Sequence, residues 1–206
     1  MKRLVLLLFL ALPACSAFQS PLETHALLQQ LNGELLASSS ATRTLETWCT
    51  EHRMGTAIVA VRVPDVRKEP SPEQLQRLRV SDASEVHYRR VELRCGAYLF
   101  SEADNWYVPA RLTPSMNELL STTDTPFGKV VAPLTPYRRT IAATMLWTPL
   151  PRGWEMQRRH RSCRRCRVTI PKEVFQHRAV LYTAEHLPFS EVVETYQSEL
   201  LAFGRK

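Results

Sequence analysis

The chain has 206 residues, 44% of them hydrophobic, and a formal charge of +7. That length suits one domain with a sizeable core, and no apolar run of about 18 residues lies beyond the N-terminus to form a further membrane span. The basic excess is local, in six arginines within Arg158–Arg167 and in Lys2 and Arg3. The rest is close to neutral, which excludes a domain-wide phosphate-binding surface and with it a nucleic-acid partner.

The first 17 residues read as a secretory signal peptide. Lys2 and Arg3 precede an apolar run from Leu4 to Leu12, and the small residues Ala14, Cys15, Ser16 and Ala17 follow. This three-part layout is too short to span a bilayer. "LPAC" resembles a bacterial lipobox, which makes Cys15 a candidate lipidation site and membrane anchor. Cleavage after Ala17 is the alternative and releases a soluble protein. Both outcomes place the single domain, 18–206, outside the cytoplasm; an unprocessed leader leaves it cytoplasmic.

Pro21 opens a predicted helix over 21–37, with Leu27, Leu28, Leu31 and Leu35 at helical spacing. A second helix follows, with Ser40 or Thr42 as N-cap and Leu45, Trp48 and Cys49 on one face. Residues 56–63 read as a strand, and 66–77 as a polar, proline-bearing loop entering a short helix. Residues 86–95, "VHYRRVELRC", alternate strictly. Arg89, Val91, Leu93 and Cys95 share one face of that strand; Arg90, Glu92 and Arg94 share the other.

Gly96 marks a turn, and 97–109 return as a strand. Thr113 and Pro114 are the N-cap and first residue of a helix, and "TDTPFGKVV" leads into another short one. Residues 138–150 form a further strand, and the chain closes as a hairpin around Glu185–Pro188. At least six strands joined mostly by short turns, with helices gathered early and mid-chain, define an α+β fold: an antiparallel sheet of about six strands with helices packed on it.

The stretch "RRHRSCRRCR" (158–167) lies in a basic loop insertion at about 152–170. Cys163 and Cys166 are half a zinc site, and neither a second Cys-x-x-Cys nor a His-x-x-x-His supplies the other half. A redox dithiol needs a strand-to-helix junction, whereas six arginines surround this pair and Pro171 follows. The stretch reads as a loop with an incidental or disulfide-bonded pair, and no metal is expected. Pairing among Cys49, Cys95, Cys163 and Cys166 stays open, since an exported chain can oxidise all four.

No phosphate loop or nucleophile elbow is present. Two charges on apolar strand faces stand out: Arg89, in phase with Val91 and Leu93, and Glu194, in phase with Val192 and Tyr196. A charge so placed needs a partner or a charged ligand. Either the two pair with each other or sit at exposed strand ends, or they hold a ligand.

Five short motifs in order then carry a resemblance. "SATRTLETWC" (40–49), "RRVELR" (89–94), "WYVP" (106–109), "TPFG" (125–128) and "PFSEVVETY" (188–196) resemble the chorismate lyases, an antiparallel-sheet family related to regulatory ligand-binding domains. The resemblance implies a chorismate lyase-like fold over most of the mature chain. It also implies a cofactor-independent elimination of pyruvate from chorismate that leaves 4-hydroxybenzoate. On that resemblance the ligand-binding arginine falls on Arg89, with Arg90 as runner-up, and the buried glutamate on Glu194, with Glu191 as the alternative. Phe127, with Gly128 beside it, lines the pocket. A bidentate arginine holds one carboxylate of the substrate and a hydrogen-bonded glutamate meets the hydroxyl end, so catalysis rests largely on positioning in a dry pocket. The family's second arginine has no clear counterpart, because Asp104 and Asn105 stand in that region. The non-catalytic alternative is an exported or lipid-anchored binding protein for a small cyclic or aromatic carboxylate in the same pocket.

Overall fold

The computed structural model describes residues 20–156 and 168–203. The leader, Cys15, Cys163 and Cys166 lie outside the described residues.

Helix α1 (Pro21–Ala37) starts at a capping box: the Ser20 amide donates to Glu23 at 2.7 Å and the Glu23 amide to Ser20 Oγ at 3.2 Å. Its Leu28, Leu31 and Leu35 are buried, as their spacing predicts. In helix α2 (Ala41–Glu51) the cap is Ser40, whose Oγ accepts from the Arg43 amide. Leu45, Trp48 and Cys49 pack inward, and Trp48 Nε1 donates to the Leu200 carbonyl at 2.9 Å. Cys49 forms a disulfide with Cys95, tying the end of α2 to the sheet.

Six strands form one antiparallel sheet in the order β1-β2-β3-β6-β5-β4. They are β1 (Ile58–Arg62), β2 (His87–Cys95), β3 (Tyr98–Tyr107), β4 (Tyr137–Met145), β5 (Glu173–Tyr182) and β6 (Pro188–Gln197). The fold is the α+β arrangement that the sequence predicts. Strand β4 is shorter than its predicted 138–150: beyond Met145 the Leu146 and Trp147 amides both donate to the Val174 carbonyl, which ends the regular ladder.

Alternation in β2 holds in space: Arg89, Val91, Leu93 and Cys95 are buried, and the residues between them are half-buried. The inner face of the sheet packs against α1 and α2 in the main core. Helix α3 (Pro72–Leu78) covers part of the outer face, where Leu78, Val86, Trp106, Val108 and Val193 form a second, smaller core. Helices α4 (Pro114–Thr122) and α5 (Phe127–Val130) complete the inner layer. Among the described residues no helix is long and apolar enough to cross a membrane, and no three His, Cys, Asp or Glu side chains cluster as a metal site.

Candidate functional site

Strand register assembles the site. On the inner face one row reads Arg89, Asn105, Val192, Ala179 across β2, β3, β6 and β5, and the next reads Val91, Ala103, Glu194, His177. Between the sheet and the start of α2 lies a cavity lined by Arg89, Val91, Leu93, Ala103, Asn105, Leu181, Val192, Glu194 and Arg138. Its roof comes from Ser39–Thr42, Phe127, Gly128, Val131 and Pro136. A Cβ on Gly128 would stand 3.1 Å from Thr42 Oγ1, so glycine lets α5 approach the first turn of α2 this closely.

Arg89 is 8% exposed, yet no carboxylate pairs with it among the described residues. Nη2 donates to the Thr125 carbonyl at 3.3 Å, and Nε has no partner. Burial pulls its pKa down, the mark of a cation held in apolar surroundings without compensation. Beside it, Asn105 is also buried; Oδ1 accepts from Ser190 Oγ at 2.5 Å, while Nδ2 has no partner.

Glu194 does not pair with Arg89. Strand β3 stands between them, putting their backbones two strand spacings apart, roughly 10 Å. Instead Arg138 of β4 reaches across β5 and donates to Glu194 Oε2 at 2.5 Å, and the Tyr196 hydroxyl donates to the same oxygen at 3.1 Å. Burial of Arg138 works against its charge, but the Glu194 carboxylate overrides this and keeps its pKa raised. Burial first, and the Glu194 charge second, raise the Tyr196 pKa, so its hydroxyl stays a donor.

Arg89, Glu194, Phe127 and Gly128 are therefore brought to one cavity. Arg90 and Glu191 are not. Arg90 points to the outer face, paired with Asp104 at 3.0 Å and with Glu102. Glu191 is buried on that face beneath α3, where Arg77 grips it bidentately at 2.7 and 2.9 Å and Gln74 adds a third contact. Both placements follow from the period of two along a strand: a shift of one residue in β2, or of three in β6, turns the side chain to the opposite face.

Sequence reasoning missed Arg138 and the place of Asn105 in the cavity wall. In "YRRTIAATM" nothing local separates Arg138 from Arg139; only the pairing of β4 with β5 turns one inward. Near Asn105 the available signal was a polar residue in phase with Ala103, Ser101 and Tyr107.

The sheet order and the covered inner face define an α+β domain built on one six-stranded antiparallel sheet, with a cavity between sheet and helices. PhnF from Mycobacterium smegmatis matches this fold with a TM-score of 0.50 at 10% identity, over 80% of this chain and 66% of that one. The ligand-binding domain of a transcriptional regulator assigned to the GntR family, from Bordetella bronchiseptica, gives a TM-score of 0.45 at 14% identity, over 70% of this chain and 85% of that one. At such identities the likeness concerns fold alone. No family model matches the chain. By sequence it is 43% identical over 187 residues to the uncharacterized protein y4mC of Sinorhizobium fredii, covering 89% of this chain and 79% of that protein, and it belongs to the y4mC family.

Proposed function

We propose that the domain binds a small organic carboxylate in the cavity beneath α2, with Arg89 as its anchor. The observation that carries this is a buried guanidinium that has, among the described residues, no partner for Nε and no carboxylate paired with it. An unpaired buried charge is costly, and a ligand carboxylate removes that cost through two charge-assisted hydrogen bonds. The apolar walls, Val91, Leu93, Phe127 and Val192, suit a cyclic or aromatic body.

A second reading is catalytic: elimination of pyruvate from chorismate, with Arg89 holding a carboxylate and Glu194 at the far wall. It is favoured by the placement of both residues on one cavity. Against it, Glu194 is engaged by Arg138 and Tyr196, which leaves it better placed to shape the wall than to move a proton. Incubating the mature chain with chorismate while following aromatic absorbance separates the two. Binding without a new absorbance, even at high protein concentration, supports the binding domain; stoichiometric 4-hydroxybenzoate and pyruvate would establish the lyase.

For location we propose export, with Cys15 as the lipid-bearing terminus or cleavage after Ala17. The Cys49–Cys95 disulfide supports an oxidising compartment. Cys15→Ser should move a lipoprotein from the detergent phase to the soluble fraction, and an intact Met1 on cytoplasmic protein would refute export.

A further inference from the structure

The carboxylate anchor has a neighbour with an unmet need. Asn105 faces Arg89 across the β2–β3 ladder, is 4% exposed, and lines the same cavity. The fully buried Ser190 hydroxyl donates to Oδ1 at 2.5 Å. With Oδ1 engaged, Nδ2 is the side of the amide left over, and it has no acceptor among the described residues. Two buried donors from residues on adjacent strands that line one cavity, Arg89 Nε and Asn105 Nδ2, therefore lack acceptors among the described residues; Arg138 Nε on β4 lacks one too, but its guanidinium already holds Glu194. Buried donors are rarely left so, because the desolvation is uncompensated. A ligand that brings two acceptors side by side would satisfy both.

Charge decides what those acceptors are. The ionic side chains lining the cavity are Arg89, Arg138 and Glu194, and the last two cancel at 2.5 Å. One cation remains, enough for one anionic group. A second negative group beside Asn105 would find no cation of its own, because Arg138 is already committed to Glu194. An unpaired charge in a low-dielectric site is costly. The acceptor for Nδ2 is then a neutral oxygen.

We infer that the ligand is a monoanionic hydroxy- or oxo-carboxylate, with its carboxylate on Arg89 and its neighbouring neutral oxygen on Asn105 Nδ2. This rests on the carboxylate-binding reading above and narrows it: dicarboxylates, chorismate among them, are disfavoured, and Asn105 with Ser190 behind it sets the preference.

The test is a calorimetric titration of the full chain with benzoate, 2-hydroxybenzoate, phthalate and chorismate. The proposal expects 2-hydroxybenzoate to bind about tenfold more tightly than benzoate, a factor equal to about 1.4 kcal/mol, and phthalate and chorismate to bind more weakly than 2-hydroxybenzoate. Asn105→Ala should reduce the hydroxyl preference to within about twofold. Ser190→Ala, which frees the amide to rotate, should reduce it in part, and it supplies the same readout should the first variant fail to fold. Phthalate or chorismate binding at least as tightly as 2-hydroxybenzoate would overturn the inference, as would a preference that survives both variants. Benzoate binding that is lost in Arg89→Ala, with no dependence on Asn105, would sink this inference and spare the carboxylate reading. Binding indifferent to Arg89→Ala, or no binding by any of the four, would sink both.

Discussion

Arg138 Nη2 and Glu194 Oε2 lie 2.5 Å apart in the wall of the cavity, both side chains almost wholly buried. This contact spans β5, which separates their strands. It satisfies the carboxylate that lines the cavity, so the two arginines of the cavity differ in kind. Arg138 is internally neutralised, and Arg89 is left for whatever enters.

Arg89→Ala should weaken binding of a carboxylate ligand by about 1.5–3 kcal/mol, the scale of a charge-assisted hydrogen bond. Arg90→Ala, which alters the outer-face cluster with Asp104 and Glu102, should leave binding unchanged. A paired titration of the two variants checks this. Removing an uncompensated buried charge also relieves the apo protein, so Arg89→Met should gain about 1 kcal/mol in urea unfolding while losing the ligand.

Glu194→Ala should destabilise the fold by about 3–5 kcal/mol, because Arg138 would be left buried and unpaired. Replacing the pair together, as Glu194→Met with Arg138→Leu, should recover most of that loss. Urea unfolding of the single and double variants measures the difference, and equal losses in both would show that the pair acts through packing alone.

The Cys49–Cys95 bridge closes a loop across 46 residues and fastens α2, whose first turn roofs the cavity. Cys49→Ala/Cys95→Ala should lower stability by about 2–4 kcal/mol on the loop-entropy scale. Non-reducing peptide mapping should recover the two cysteines in one linked fragment. Both sulfurs are fully buried, so reductant should act only on protein that has opened.

His177 lies beneath the site with Nε2 2.8 Å from Asn32 Oδ1, and Nδ1 has no partner among the described residues. Burial is the main cause that pushes its pKa down to about 4 from the ordinary 6.5. The unfolded chain therefore binds a proton that the folded one refuses. Stability from this group is complete above about pH 6.5 and is lost as pH falls towards 4, by about 3 kcal/mol in total. His177→Gln should flatten the stability profile across that window in thermal melts at several pH values, and an unchanged profile would show that His177 is not the group responsible.

The sequence by itself determined the elements and the direction each presents. Alternation over 87–95 put Arg89 inward and Arg90 outward, and Thr113 with Pro114 announced α4. Leucine spacing in α1 marked its buried face. These are local properties, written with periods of 2 and 3.6. Which strands meet is not local. The pairing of β3 with β6, and of β4 with β5, joins residues far apart in the chain and rests on the total burial of the sheet. Only that pairing turned Arg138 towards Glu194, set Asn105 beside Arg89, and sent Glu191 to Arg77 on the other face. A strand's period says that a side chain faces inward; which charge it meets there depends on the neighbouring strands, and these are chosen by the fold as a whole.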